Sequence, residues 1–484
     1  MANDKHGVYV TEQATGANTP IVGTAGLQVI VGTAPVNMLA NPAGAVNVPI
    51  LANTYAEAVK AVGFSTDFAN YTLCQSISAS FQVLGCAPMV LINVLDPAKH
   101  NKAITAATVQ VNSGVAIVDE TGILPDQLVV KKDTTALKAG EDYTTTFNDD
   151  GTLSIVLIAG GAGAGAITLA VTGKKLDPSA VTEADIVGKI DTATGAETGL
   201  EVVRQIYPKL SLTAGLLLAP GWSQKATVGA ALQAKCENLN GSFRAFSVID
   251  VDSGASGARK YTDVKAKKEG QGITSVNACA VWPCAKVGET IYAGSTMMAA
   301  QMEYIDAAND DVPNVSPDNK TLPISTACLA DGTEVLLDQE QANTVNSFGV
   351  ATFLNMNGYR TWGNNTAAYP GNTDPKDRFI AVRRFLSWTA NTFILTYFGK
   401  VGAPANRRMI DSIVDSENVR GNSFVARGIC ARYELKYLED ENTESSLLEG
   451  RVIFHQYCTP FVPANSIENT IEFDASALAS ALNG

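Results

Sequence analysis

Histidine is scarce in this chain of 484 residues, occurring only as His6, His100 and His455. None of the three stands in a motif with a serine and a carboxylate, so a Ser-His-Asp triad is disfavoured. Cys279 and Cys284 are five positions apart with no histidine nearby, which lies outside the usual zinc spacings. We therefore predict a protein that is not an enzyme and that has no metal or cofactor.

Two other motifs of binding sites are incomplete. Residues 250–254 begin like a calcium loop, but Tyr261 stands where the loop requires its last glutamate, so we predict a turn. The glycine-rich residues 160–165 are not followed by the Gly-Lys-Ser/Thr of a phosphate-binding loop. The sequence therefore predicts neither a calcium site nor a nucleotide site.

Long apolar runs and targeting signals are also lacking. The first residues are polar and no apolar segment with a cleavage site follows, so we expect no targeting segment. Residues 153–172 carry no charge, but their glycine-rich centre is a poor helix, because each glycine costs up to about 1 kcal/mol relative to alanine. We predict a β-hairpin with a glycine-rich tip there, and no membrane insertion.

Charge is low and unevenly distributed. Charged residues make up 17% of the chain and apolar residues 46%, which suits a subunit that buries its surface against neighbours, or simply a large alanine-rich protein. The net charge of −13 argues against nucleic acid as a partner. Yet 10 of the 13 arginines lie between Arg360 and Arg451, and residues 360–432 hold 11 basic against 5 acidic side chains, a balance of +6. Such a basic region is typically directed at an acidic partner, although internal ion pairs, such as Arg407 with Asp411 one helical turn later, are the alternative.

The pattern along the chain predicts an α/β protein with an insertion. Apolar strands alternate with helical segments in residues 27–95 and again in residues 201–281, which favours a mainly parallel sheet covered by helices. Residues 104–175 change to short strands, which predicts an inserted β-rich domain. Single strand-like segments stand near each end, and a lone strand needs a sheet edge to pair with. Pairing with another chain is one possibility and a frayed terminus is the other.

Tyr359, Arg360, Trp362 and Gly363 form a motif of aromatic rings and a guanidinium next to glycine, followed by an apolar run that we predict as a strand ending in Arg383 and Arg384. Further patches stand in residues 7–12, 48–63, 218–223, 248–252, 316–320 and 346–351. In this order the patches resemble the sheath proteins of contractile phage tails, the subtilisin-like tail sheath family. The family often has a second arginine after the Trp-Gly pair, where this chain has Asn364 and Asn365.

The resemblance implies a fold of the class α/β plus α+β, with a subtilisin-like core and extended terminal β-arms. The expected units are an N-terminal arm (residues 1–26), the core (27–103 and 200–330), the inserted β-rich outer domain (104–199), a C-terminal tube-facing domain (331–455) and a C-terminal arm (456–484).

It also implies a structural subunit that polymerises as stacked hexameric rings around a tail tube and contracts to drive that tube through a host envelope. The expected partners are further copies of the chain, the tube protein, and the baseplate and terminator proteins, within a virion tail assembled in the host cytoplasm. Two strands are expected to pair between subunits: an N-terminal one with Val8, Tyr9, Val10 and Thr11, and a C-terminal one with Ile471, Glu472 and Phe473. The side chains expected to face the tube are Arg383, Arg384, Arg407 and Arg408. The expected packing motif is Tyr359, Arg360, Trp362 and Gly363.

Other interpretations remain open. The chain could be the sheath of a headless, tailocin-like injection particle. A hydrolase on the α/β core, or an oligomeric surface or receptor-binding protein with a β-rich recognition domain, would belong to different classes. Cys430 and Cys458 also leave open a disulfide between subunits.

Overall fold

The structure of the protein is a computed structural model that describes residues 24–105 and 107–483. Its strands are β1 Gln28–Gly32, β2 Ile50–Ala52, β3 Met89–Asn93, β4 Asn101–Ala103, β5 Ala107–Asn112, β6 Val115–Val118, β7 Val129–Lys132, β8 Thr135–Ala136, β9 Tyr143–Phe147, β10 Leu153–Leu157, β11 Thr168–Thr172, β12 Lys174–Leu176, β13 Leu216–Leu218, β14 Phe246–Asp250, β15 Ala278–Val281, β16 Cys284–Val287, β17 Thr290–Tyr292, β18 Thr326–Cys328, β19 Val350–Asn355, β20 Tyr359–Trp362, β21 Cys430–Lys436 and β22 His455–Pro460.

The α-helices are α1 Tyr55–Val62, α2 Thr72–Ile77, α3 Glu183–Val187, α4 Ile206–Leu210, α5 Ala226–Glu237, α6 Val264–Gln271, α7 Gly294–Ala308, α8 Gln339–Ser347, α9 Pro375–Arg378, α10 Ile380–Tyr397, α11 Arg407–Ala426, α12 Glu444–Leu448 and α13 Ala475–Asn483. The predicted N-terminal strand, Val8, Tyr9, Val10 and Thr11, lies outside the described residues. None of the helices in the described part of the chain is both long and apolar enough to cross a membrane.

An eight-stranded sheet forms the core, in the order β2-β3-β1-β13-β14-β15-β19-β20. Neighbouring strands are parallel from β3 to β19, and β2 and β20 are antiparallel at the two edges. Every residue of β1, β3 and β14 is buried, the pattern of parallel strands that are covered on both faces. The α/β prediction is therefore confirmed. Because β19 and β20 complete this sheet, it extends beyond the predicted core boundary at residue 330.

Local signals in the sequence set the ends of helices around this sheet. The side chain of Thr54 accepts a hydrogen bond from the backbone N–H three residues later and so caps α1, which ends at Gly63 with φ at 79°. Asp338 and Gln341 form a capping box at the start of α8. These caps satisfy backbone groups that the helices themselves leave unpaired.

The insertion is a separate β-domain. Its seven strands are antiparallel in the order β8-β7-β11-β5-β6-β10-β9, and twelve buried residues form a hydrophobic cluster of their own. The strands β4 and β12 pair antiparallel and form a stem between this domain and the core. The predicted hairpin over residues 153–172 is wrong: β10 pairs with β6 and β9, whereas β11 pairs with β5 and β7. The two strands are adjacent in sequence, but each has its partners elsewhere in the sheet.

The C-terminal part packs two long helices, α10 and α11, against the ribbon of β21 and β22. The apolar run before Arg383 is not a strand as predicted, because α10 begins at Ile380 directly after Phe379. Its buried side chains recur on a helical rather than an alternating period, and they include Phe385 and Trp388.

Candidate assembly interface

The two-stranded antiparallel ribbon of β21 and β22 is separate from the core sheet. Tyr433 lies opposite Cys458 and Leu435 lies opposite Gln456. Tyr433 and Leu435 are buried, whereas Arg432, next to Tyr433 in the strand, is exposed. The ribbon thus has an inner face toward the helices and an outer face toward solvent.

Aromatic side chains of the helices hold this ribbon. The ring centroid of Phe424 on α11 lies 5.5 Å from that of Tyr433, 5.7 Å from that of Phe385 and 5.9 Å from that of Trp388. A two-stranded ribbon alone is at best marginally stable in water. This aromatic cluster gives the ribbon a hydrophobic face to pack on.

The C-terminal arm, residues 461–474, follows β22 without a strand or a helix. It begins later than the predicted residue 456, because residues 456–460 belong to β22. The predicted strand residues Ile471, Glu472 and Phe473 do not pair within the described part of the chain. Their pairing with another subunit stays a prediction.

The arm is highly exposed. Ile467, Ile471 and Phe473 are 92%, 87% and 78% exposed, which is unusual for three apolar side chains so close in sequence. Near its start, Asn364 Nδ2 donates to Asn465 Oδ1 at 2.9 Å. The arm therefore leaves the ribbon and passes the end of β20.

Of the four predicted tube-facing arginines, the structure excludes two. Arg384 is buried and forms an ion pair with the fully buried Asp306. Arg383 is mostly buried, and its Nε donates to Asn277 Oδ1 at 2.8 Å. The prediction was wrong because both side chains have partners inside the chain, so neither displays its charge.

The other two arginines are accessible at the start of α11. Arg407 and Arg408 are exposed, and Asn406 caps the helix by accepting a hydrogen bond from Met409 N. The predicted ion pair of Arg407 with Asp411 is confirmed, with 2.9 Å between Nε and Oδ1. The tube-facing role of these two arginines stays a prediction.

Arg384 joins three parts of the molecule. Its guanidinium on α10 binds Asp306 on α7 and also donates to the carbonyl oxygen of Ala25 at 3.0 Å. Burial raises the pKa of the neighbouring Asp311 to about 6, and the nearby Asp306 carboxylate adds to this effect. Desolvation raises the pKa of Glu303 on α7 to about 8. The junction of core and C-terminal helices is therefore a buried cluster of acids around one arginine.

The packing motif lies on β20, at the edge of the core sheet. Tyr359 is buried, with its hydroxyl 3.0 Å from that of Thr326. Trp362 Nε1 donates to Asn343 Oδ1 at 2.9 Å, and Gly363 N donates to Asp318 Oδ1 at 2.6 Å.

At this edge of the core sheet, Arg360 makes a further hydrogen bond and Gly363 allows a close approach. Arg360 Nη1 donates to the carbonyl oxygen of Asn319 at 3.2 Å. Gly363 has φ at 126°, and a Cβ there would lie 2.5 Å from Asn346 Oδ1. The motif thus brings together residues 316–320 and 346–351, two patches that are separate in the sequence.

The described residues do not assemble a catalytic triad. Asp250 is buried and accepts hydrogen bonds from the hydroxyls of Ser223 and Ser295 at 2.8 and 2.5 Å. His100 instead faces Asp185, and His455 faces Glu441, while His6 is outside the described range. Within the described ranges, no group of three or more His, Cys, Asp or Glu side chains is arranged to hold a metal ion.

All eight cysteines are free, and six of them are buried. Most of the cysteines are therefore small buried side chains. The thiols of Cys430 and Cys458 contact each other on the inner face of the ribbon. They are therefore placed for contact within one chain, which does not favour the disulfide between subunits.

Comparison with known proteins identifies the assembly to which this arrangement is related. No protein-family model matches the chain. The tail sheath protein of Burkholderia phage BcepMu is 26% identical over 487 residues, which covers 95% of this chain and 94% of that protein. The tail sheath protein of Escherichia phage P2 is 25% identical over 60% of this chain and 70% of its own length. The chain is a homologue of phage tail sheath proteins.

The fold of this sheath homologue agrees with the sequence relationship. The structure of the PVC sheath complex of an extracellular contractile injection system, in its contracted state, matches 99% of this chain and 99% of its own with a TM-score of 0.59. The sequence identity of 13% means that this second comparison supports the fold alone. The sheath homologue has the mixed α/β fold of known contractile sheath proteins.

Proposed function

We propose that the chain is a structural subunit of a contractile tail sheath, which polymerises as stacked hexameric rings around a tail tube and contracts to drive the tube through a host envelope. The observation that carries this proposal is homology to a phage tail sheath protein over 95% of the chain and 94% of that protein. The C-terminal arm gives the proposal a physical basis, because its strand-like segment has no strand partner among the described residues.

The connection between subunits is a strand exchange. The arm of one copy adds to the ribbon of another, so that backbone hydrogen bonds supply affinity and alternate side chains set the register. The N-terminal residues Val8, Tyr9, Val10 and Thr11 supply a second strand of the same kind. The assembly remains connected while the subunits rotate as rigid bodies.

The core is a subtilisin-like domain in this proposal, and the β-domain points outward, away from the tube. Arg407 and Arg408 face an acidic tube protein from the start of α11. Their exposure supports this placement. Arg383 and Arg384 are not part of it.

Contraction proceeds without nucleotide hydrolysis. The extended sheath is metastable and is held by kinetics and by its contact with the baseplate. A preference of roughly 5 kcal/mol per subunit for the contracted state makes each step nearly irreversible. The baseplate and the tail terminator protein are the partners at the two ends, and the particle is a phage virion assembled in the host cytoplasm.

A headless injection particle is the second candidate, since the fold also matches the sheath of an extracellular contractile injection system. Both candidates share the sheath function and differ in whether a genome-filled head is attached.

The test is negative-stain microscopy of the purified full-length protein. A sheath subunit forms long tubes, whereas a receptor-binding protein forms compact oligomers of fixed size, and that second result would contradict the proposal. A variant that ends at Pro460, and so lacks the arm and α13, is the control. It should remain folded by circular dichroism, because the arm contributes almost no buried contacts, but it should not form tubes.

A further inference from the structure

A cavity opens above the carboxyl ends of the core strands. Its volume is about 600 Å³, within the range of sites that hold small molecules. Its floor includes Gly221, which follows β13, and Asp250, the last residue of β14. Residues 66–69 and the strands β16 and β17 form its walls. The proposed sheath function gives this cavity no role.

The cavity lies beside the point at which the strand order of the core sheet reverses. From β1 the chain continues to β2 and β3 on one side, whereas β13 and β14 lie on the other side of β1. Gly221 borders this point, because a Cβ there would lie 3.0 Å from Thr72, whose hydroxyl accepts a hydrogen bond from the backbone of Thr33 directly after β1. Parallel sheets of this kind bind ligands in the crevice outside the carboxyl ends of their strands at such a reversal.

The lining of the cavity is acidic. Its charged side chains are Asp67, Asp250, Asp252 and Glu289, and within the described residues no lysine, arginine or histidine lines it. Asp252 and Glu289 have cationic partners in Lys267 and Lys286. The carboxylates do not form a metal site, since the described part of the chain holds no group of three or more His, Cys, Asp or Glu arranged around a metal ion. The lining therefore favours an organic cation.

Asp250 is the carboxylate at the floor that lacks a counter-charge. Its Oδ1 accepts a hydrogen bond from Ser295 N at 2.7 Å, and its Oδ2 accepts from the hydroxyls of Ser223 and Ser295 at 2.8 and 2.5 Å. A carboxylate has about four acceptor positions, so one position on Oδ1 remains. Burial raises the pKa of Asp250, and only hydrogen bonds from the two serines oppose this shift. A protonated amine would fill the open position and supply the missing charge.

Gln75 on α2 supplies a second open position. The side chain is 4% exposed and lines the same cavity. Its Oε1 accepts hydrogen bonds from Ala293 N at 2.9 Å and from the Thr296 hydroxyl at 3.3 Å, which fixes the orientation of the amide. Its Nε2 has no hydrogen-bond partner within the residues that the structure describes. A buried donor of this kind calls for an acceptor, such as a hydroxyl oxygen, from a molecule in the cavity.

The two positions lie side by side because one turn of the chain holds both. Residues 293–296, at the start of α7, bind Gln75 through Ala293 and Thr296 and bind Asp250 through Ser295. A ligand with an ammonium group near a hydroxyl can therefore reach both side chains at once.

The remaining wall suits a ring. Phe68, Pro283 and Ile291 are its apolar side chains. The ring of Phe68 is half-buried and is held by Tyr292, with 5.2 Å between the ring centroids. The negative face of an aromatic ring attracts cations and the polarised C–H groups next to them.

We propose that this cavity binds a hydroxylated primary amine of the amino-sugar class, with its ammonium group on Asp250 and a hydroxyl on Gln75 Nε2. The inference goes beyond the proposed sheath function and does not depend on it.

Isothermal titration calorimetry of the purified full-length protein tests the site. The probe is D-glucosamine in phosphate buffer, and D-glucose is its control, because it keeps the ring and the hydroxyls but lacks the ammonium group. The variants are Asp250→Asn and Gln75→Met, which change one polar group with little change in size. Asp415→Asn, at an exposed position on α11, is the matched control for the loss of one negative charge. Circular dichroism checks that each variant is folded.

D-glucosamine should bind, and D-glucose should bind at least about ten times more weakly. Asp250→Asn should weaken binding of D-glucosamine at least about tenfold, since it removes a charge-assisted hydrogen bond. Gln75→Met should weaken it about fivefold, the effect of one neutral hydrogen bond. Asp415→Asn should leave it unchanged.

Three results would overturn the proposal: D-glucosamine does not bind, it binds no better than D-glucose, or it binds equally well to wild type, Asp250→Asn and Gln75→Met. If Asp250→Asn does not fold, Gln75→Met and the comparison of the two sugars decide in the same way. Each of these results leaves tube formation, and with it the sheath function, unaffected.

Discussion

The core sheet and the C-terminal ribbon differ in how far the backbone groups of their strands are buried and paired. In the core, eight strands lie side by side, and the central ones are buried along their whole length. The ribbon has two strands: α11 covers one edge, and the other edge has no strand partner among the described residues. The difference shows that a chain can be complete in its hydrophobic core and still incomplete in its backbone pairing. Under the proposed function, the second property is what joins one subunit to the next.

The strongest test of this comparison concerns the junction between the two regions. Asp306→Ala should destabilise the free subunit by about 3–5 kcal/mol, because it leaves the buried Arg384 without its counter-charge. Urea unfolding of the subunit measures this loss. In the double variant Asp306→Leu with Arg384→Met the loss should be much smaller, and equal losses in both would mean that the ion pair does not carry the effect.

The acidic cluster beside that junction predicts a pH dependence. Burial raises the pKa of Glu303 to about 8 in the folded protein from its usual 4.5, so the folded state keeps a proton that the unfolded state has lost. This contribution is complete below pH 4.5 and is lost as pH rises toward 8, by up to about 1.4 kcal/mol per pH unit. Unfolding of Glu303→Gln should lack this slope, and an unchanged slope would assign it to other groups.

The close approach of α11 to β21 of the ribbon can be tested at Gly421. Gly421→Ala should cost about 1–3 kcal/mol, because the new Cβ overlaps the Tyr433 ring. The matched control is Gly270→Ala on α6, where a Cβ meets nothing within 4 Å. That change should stabilise by up to about 1 kcal/mol through helix propensity. Equal effects at the two glycines would contradict the close approach of α11 to β21.

Asn418 gives a smaller and more specific effect. Asn418→Ala removes both side-chain hydrogen bonds to Leu435 and should cost about 1 kcal/mol. Asn418→Asp, which can still accept from Leu435 N, should lose less. Hydrogen exchange at the Leu435 amide should become faster in the alanine variant, and unchanged protection would show that the helix alone covers the edge.

Arg408 should have the smallest effect on stability. Arg408→Glu changes an exposed side chain and should shift the free energy of unfolding by no more than about 0.5 kcal/mol. Co-sedimentation with tube subunits should nevertheless weaken, since an acidic tube would then face an acidic residue. Arg451→Glu, at an exposed position outside the ribbon strands, serves as the control for charge alone.

Much of the core could be predicted from the sequence because its information is local. Strand β3 is a continuous apolar run, and α1 carries its cap at Thr54 and its stop at Gly63. The ion pair of Arg407 with Asp411 follows from helical spacing. Each of these features is decided by residues a few positions apart.

The errors concern choices made at long range. A short apolar run followed by two arginines fits a strand or a helix equally well, and residue 380 begins a helix. The partner of Arg384, Asp306, is 78 positions away in the sequence. The residues next to Arg384 in the sequence therefore do not indicate that its side chain is buried. The hydrogen bond from Leu435 N to Asn418 was not predicted for the same reason. A polar residue that favours turns, found within a long helix, is nevertheless a sequence signal for such a side-chain contact.

The stem formed by β4 and β12 has a practical consequence for engineering. Both connections to the β-domain run through this one antiparallel pair, in which Ala103 lies opposite Lys174. A foreign domain whose termini lie close together could be spliced in at these two positions without altering the path of the core chain. Because every subunit carries the stem, a polymer of such chimeras would display its cargo at regular intervals along the whole particle.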